Sequence, residues 1–189
     1  MIPPRTTIGM LMNEHRLILR MIDQMRFKAE GLSQGEALDP LFISVTVDFI
    51  RSYADRCHHG KEEAILFREL AGKQMSAEDA AAMQQLIDDH VWARGKTREL
   101  VEASDRYFGG DASELRHVFA TLLQLAEFYP AQIAREDKDF FHRAETYLTH
   151  DERDAMDAES REFDRLLIHE RYRAVVETME RKAVPAEVQ

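Results

Sequence analysis

Apolar residues recur along most of this chain at intervals of three and four, the spacing of one buried face of an α-helix. The first stripe is Ile8, Leu11, Ile18, Ile22 and Met25, with Thr7 as N-cap and Gly35 beyond its end near Leu32. Asp39-Pro40, a cap followed by proline at the first helical position, opens a second helix to about Leu70. Its stripe is Ile43, Val47, Ile50, Ala54 and Ile65. Ser76 and Asp79 resemble a capping box for a third helix, striped by Met83, Leu86, Ala93, Thr97, Leu100 and Ser104 and stopped by Gly109-Gly110. Asp111 caps a fourth, carrying Leu115, Val118, Leu122, Leu125, Tyr129 and Phe140. Pro130 lies inside that helix, where it should kink the axis and free the carbonyl of Ala126. Thr149 and Glu152 form a further capping box, opening a fifth helix to about Arg181 with Met156, Phe163, Leu166, Leu167, Tyr172 and Val176 on its apolar side. The tail from Ala183 is expected to fray. The pattern predicts an all-α fold: an up-and-down four-helix bundle over residues 1–148, with an additional C-terminal helix in 149–189 packed on it.

The polar residues that interrupt these stripes are more informative than the stripes themselves. His15, His58, Glu62, His90, Gln132 and Glu136 all stand at positions the periodicity buries. They also belong to an internal repeat. Residues 57–67 recur 74 residues later as 131–141, with Glu62 matching Glu136, Lys61 matching Arg135, Glu63 matching Asp137 and Phe67 matching Phe141. Glu14-His15 recurs as Asp89-His90. His58 matches Gln132, the one place where the copies differ in chemistry. At 1.5 Å rise per residue, about 17 residues separate His15 from the first turn and about 18 separate that turn from His58. An antiparallel pair therefore brings the two to one level, and His90 and Gln132 pass the same test. Each repeat is long enough for one helical hairpin.

Composition narrows the alternatives. With 44% hydrophobic and 32% charged residues the chain is that of a soluble globular protein of one domain. A formal charge of −10 disfavours nucleic acid and anionic membrane surfaces as partners. The single Cys57 suits a reducing compartment, and neither a signal region nor a membrane-spanning apolar run is evident, so a cytoplasmic location is expected. Three histidines and two carboxylates on core stripes then need a partner, because buried ionisable groups are costly unless paired or metal-bound. Imidazole and carboxylate at i, i+4 can chelate one ion or bridge two, and mixed His/Glu ligation in a helical core suits iron or manganese.

A His on the first helix, H-x-x-x-E on the second, a His on the third and a near H-x-x-x-E on the fourth resemble the hemerythrin-like HHE cation-binding family. Residues 58–67 and 132–141 are similar to its motif stretches apart from Gln132, and the resemblance covers about residues 7–147. It implies a non-haem centre of two iron ions joined by an oxo or hydroxo group. His15 and His58 would ligate one iron and His90 the other, with Glu62 and Glu136 bridging. Gln132 would leave the second iron an imidazole short and weakly held, and Tyr129, one turn earlier, could complete it or donate a hydrogen bond to a bound ligand. The implied partners are O2 or another small molecule such as NO or peroxide, in a carrier, sensor or scavenger; the homo-oligomeric state stays open. The alternatives are a di-iron oxidase, peroxidase or nitric-oxide-reducing enzyme, and an iron storage or delivery protein.

The remaining candidates take plainer roles. His59 falls off the stripe and is expected at the surface or behind a ligand. Lys61, Glu63 and Asp137 are expected on the solvated face, and Cys57 in the apolar core. Arg94, one turn beyond His90, is placed to pair with a carboxylate near the site. His117, His142, His150 and His169 lie outside the repeat and carry no ligand role.

Overall fold

The computed structural model describes residues 5–164 and 168–183, without the side chains of 168–170 and 183. Every regular element among them is helical. Helix α1 (Thr7–Ser33) starts where Thr6, one residue earlier than expected, accepts a hydrogen bond from the Gly9 amide through its side chain. It ends at Gly35, whose φ of 93° lets the Glu36 amide turn back to the carbonyl of Gly31. The second rod begins with α2 (Pro40–Phe49), capped by Asp39, and continues as π-helix over Ile50–His59 and Glu62–Phe67 before α3 (Arg68–Ala71). Helix α4 (Ala77–Phe108) is capped by Ser76. Its stripe residues Thr97 and Ser104 satisfy their own hydroxyls on the carbonyls of Ala93 and Leu100, so they bury without cost. The fourth rod is α5 (Leu115–Arg135), a π-helical turn over Glu136–Phe140 and α6 (Phe141–Ala144).

Pro130 lies inside α5, and the carbonyl of Ala126 that it deprives of an amide accepts instead from Arg26 Nη2 at 2.8 Å. The C-terminal part differs from expectation. It is not one helix but two, α7 (His150–Phe163) and α8 (Ile168–Ala183). The two pack on different parts of the core. Met156 of α7 joins one apolar cluster, and Tyr172 and Val176 of α8 join another. Leu166, Leu167, His169's side chain and the tail beyond Ala183 lie outside the described residues.

Those two clusters decide where the chemistry sits. The larger contains Leu17–Leu32 of α1, Ile43–Ala54 of the second rod, Ala93–Ala103 of α4 and Val118–Ile133 of α5. The smaller contains Ile8 and Leu11, then Ile65–Leu70, Leu86, and Phe140–Ala144 with Leu148. Each rod passes from one cluster to the other at a single level, and the residues at that level are His15, His58–Glu62, His90 and Glu136. No helix among the described residues is long and apolar enough to cross a membrane.

Candidate metal centre

The π-helical run decides which side chains of the second rod reach the core. Its i→i+5 bonding widens each turn, so successive side chains are rotated less than the ~100° of an α-helix. His58 and His59 therefore both point inward and are 2% and 1% exposed. Glu62 follows on the same face, fully buried.

Two groups of ligand atoms result, each close enough together to share one cation. The first is His15, His58, Glu62 and Glu136; the second is His59, Glu62 and His90. In the first, His15 Nε2 lies 3.0 Å from His58 Nε2 and 3.1 Å from Glu136 Oε2. In the second, His90 Nε2 lies 3.2 Å from Glu62 Oε2, and the His59 ring stacks on the His90 ring at 3.8 Å and 11°. Glu62 belongs to both groups. Gln132 donates through Nε2 to Glu136 Oε1 at 2.9 Å.

A carboxylate faces the other nitrogen of every one of these imidazoles. Asp137 meets His15 Nδ1 at 2.8 Å, Glu14 meets His58 Nδ1 at 3.0 Å, and Glu63 meets His90 Nδ1 at 2.7 Å. Asp55 stands 3.5 Å from His59 Nδ1. Such outer carboxylates fix the ring and its tautomer and so choose which nitrogen faces the centre. Arg94 ties two of them together, at 2.7 Å from Asp55 and 2.6 Å from Glu63.

The electrostatics follow from crowding. Burial and the neighbouring Glu136 push the Glu62 carboxyl up to about 7. Burial and the charge on His90 push His59 down to about 4. Burial also disfavours charge on His15 and His90, yet Asp137 and Glu136 hold the first up to about 10 and Glu62 and Glu63 the second up to about 9.

Hydrogen-bond accounting shows what the arrangement lacks. Among the described residues, the buried side-chain atoms without a hydrogen-bond partner are the Thr46 hydroxyl and atoms of His59, Glu62, His90, Tyr129, Gln132 and Glu136. Both oxygens of Glu62, one of Glu136 and His90 Nε2 are in that set, inside the two groups. Each such orphan costs about 1–3 kcal/mol. Their concentration at one level fits a cation better than it fits a packing fault.

The hemerythrin HHE cation-binding domain model matches residues 6–144. The chain belongs to that family. No curated protein and no solved structure matches it significantly. The hemerythrin HHE domain takes in all four rods, and family members bind cations, typically iron, which suits this donor set of imidazole and carboxylate with no thiolate.

Measured against the sequence, the structure brings His15, His58, Glu62, His90, Gln132 and Glu136 to one place, with Tyr129 beside them. It differs over four residues expected outside. His59 is inside, grouped with Glu62 and His90. Glu63 and Asp137 touch His90 and His15. Lys61 is fully buried, its Nζ shared between Glu14 and Asp164 at 2.6 Å. A signal for these existed in the repeat, where each charged partner recurs: Arg135 pairs with Asp89 as Lys61 pairs with Glu14. Cys57 is buried as expected, with Sγ 3.8 Å from Asp164. His117, His142 and His150 are exposed.

Proposed function

We propose that the protein is a non-haem iron protein that holds two ions in the core of an up-and-down four-helix bundle and binds O2 or a related small molecule. His15 and His58 would hold the first ion, His59 and His90 the second, with Glu62 and Glu136 shared between them. Iron would supply redox chemistry and an open position for a small ligand. The observation that carries this reading is the gathering of unpartnered imidazole and carboxylate atoms at one buried level of a cation-binding family domain.

The chain's own residues have definite tasks in it. Asp137, Glu14 and Glu63 hold the rings of His15, His58 and His90 so that one nitrogen of each is presented inward, and Asp55 stands 3.5 Å from the outer nitrogen of His59. Phe141 lies parallel to His15 at 5.8 Å and Phe67 nearly parallel to His90 at 6.0 Å, closing the side toward the smaller cluster to water. Gln132 donates to Glu136, which leaves the other Glu136 oxygen free to face a cation. His59 replaces the imidazole that Gln132 does not supply, so the second ion is held by as many histidines as the first.

Metal analysis with an optical spectrum of anaerobically reduced and then oxygenated protein tests the reading. The expected result is about two iron ions per chain and a persistent new band on oxygenation. Catalytic turnover of peroxide or nitric oxide would favour the enzyme alternative, and chelator-labile iron the storage alternative. A chain purified and reconstituted without bound iron would overturn the proposal.

A further inference from the structure

The geometry points to a small pocket beside His59 and Tyr129 as the route and resting place of the ligand, which Tyr129 receives with a hydrogen bond. The inference rests on the function proposed above and names the face from which that centre is reached. The pocket holds about 90 Å³ and is lined by Asp55, His59, Ala93, Arg94, Thr97 and Tyr129, with Ile50 and Arg51 completing it. The space is small, which suits a ligand of few heavy atoms.

Three features of the lining bear on what enters. Tyr129 is 1% exposed and its hydroxyl has no hydrogen-bond partner among the described residues. Its ring lies nearly parallel to that of His59, at 6.3 Å and 13°, so both line one wall. A buried hydroxyl without a partner is costly, and a ligand with an accepting end would satisfy it. The outer rim is polar: Arg94 spans from Asp55 to Glu63 and is more than a third exposed. The ligand class is therefore a diatomic or triatomic species with a hydrogen-bond-accepting terminus.

A larger cavity of about 490 Å³ reaches the opposite side of the centre, lined by Asn13, Glu14, Tyr53 and Asp164 among others. There the carboxylates of Glu14 and Asp164 are joined through the buried Lys61, so charged groups already tied to each other stand between that cavity and His58. No lining residue of that cavity carries a buried side-chain atom without a hydrogen-bond partner among the described residues, whereas Tyr129 on the His59 side does.

Azide, a linear triatomic anion, is a direct probe. Its binding to the iron-loaded ferric protein is followed by the absorption band it produces, with metal content and melting temperature measured alongside. Ala93→Ile, which fills the pocket, is expected to keep the metal and slow azide entry at least tenfold. Tyr129→Phe is expected to keep the metal and release azide about tenfold faster, the effect of one lost hydrogen bond. Asn13→Trp, which fills the opposite cavity, is expected to change neither rate. Unchanged azide kinetics in both pocket variants, with the metal retained, would overturn this inference and leave the proposed function standing; so would slowed entry in Asn13→Trp alone. Wild-type protein that holds iron yet binds no azide would overturn both.

Discussion

His58 and His59 are neighbours in the chain, and a regular α-helix would send one inward and the other about 100° away. Both are buried, and each takes its own carboxylate, Glu14 for His58 and Asp55 for His59. This gives a sharp expectation at single-residue resolution. His59→Ala should lose about one iron ion per chain, whereas Gln132→Ala should retain both, because only the first change removes an imidazole from the second group. Metal stoichiometry on folded protein decides it, and equal losses from the two variants would show that Gln132 is as much a ligand as His59. Lys61 supports a second expectation. It is buried between Glu14 and Asp164, and removing one partner of a buried ion pair costs about 3–5 kcal/mol. Lys61→Met should lower the urea-unfolding free energy of metal-free protein by about that much, and Lys61→Met with Glu14→Gln should recover part of it. A single substitution with under about 1 kcal/mol of effect would mean that water reaches the pair.

Among the helices, what was legible in the sequence was whatever a 3.6-residue period and a cap reveal. The stripes of α1 and α4 predict their buried faces, and Thr149 and Glu152 predict the start of α7, whose capping box is complete. The i→i+5 bonding of Ile50–His59 was not legible, because a helix-period reading assigns every residue an angle that a widened turn then shifts. The burial of His59 is hidden from a helix-period reading for that reason. The break between α7 and α8 was missed for another: the stripe continues in sequence while its two halves serve two different clusters. Pro130 shows the opposite case, where a local rule carried through to a tertiary contact, since the carbonyl it frees at Ala126 is the one Arg26 reaches. Arg26→Ala should therefore cost about 1–3 kcal/mol, the penalty of a buried carbonyl without a partner. Pro130→Ala restores an amide donor on the same carbonyl, so Arg26→Ala should cost much less in that background. Additive effects in the double-mutant cycle would show that the two do not act on one group. The α7 cap also titrates. Lys73, then the Thr149 backbone, hold the Glu152 carboxylate down to about 2 from an ordinary 4.5. Its folded value is depressed, so its contribution is present above about 4.5 and is lost as pH falls toward 2. The protection factor of amides at the start of α7, the observed exchange corrected for the intrinsic rate at each pH, should fall over that window in wild type, and Glu152→Gln should show the lower protection already at neutral pH.

The molecule as a whole puts its most expensive groups between two apolar clusters, where all four rods cross one level. His15, His58, His59, His90, Glu62 and Glu136 are each at most 2% exposed, and several of their atoms bond to nothing in the chain. In the metal-free state the second, third and fourth rods bring unsatisfied polar atoms to the place where the rods meet, which weakens the junction between the clusters. A cation that binds the native state alone stabilises it by RT ln(1 + [L]/Kd), about 4 kcal/mol at a thousandfold excess over Kd. Loading should therefore raise the melting temperature of this 189-residue chain by roughly 10 °C, since about 1 kcal/mol shifts a chain of this size by 2–4 °C. The gain should also be unevenly distributed. Amides of the second rod around Ile50–Phe67 and of the fourth around Gln132–Phe140 join the two clusters through the ligands, and their exchange should slow more than that of Leu17–Leu32, which lies within the larger cluster alone. Native-state hydrogen exchange on verified apo and iron-loaded protein reads both quantities. Equal melting temperatures, or slowing spread evenly over all four rods, would show that the His/Glu level is already self-sufficient and that the metal is a guest in a core that does not need it.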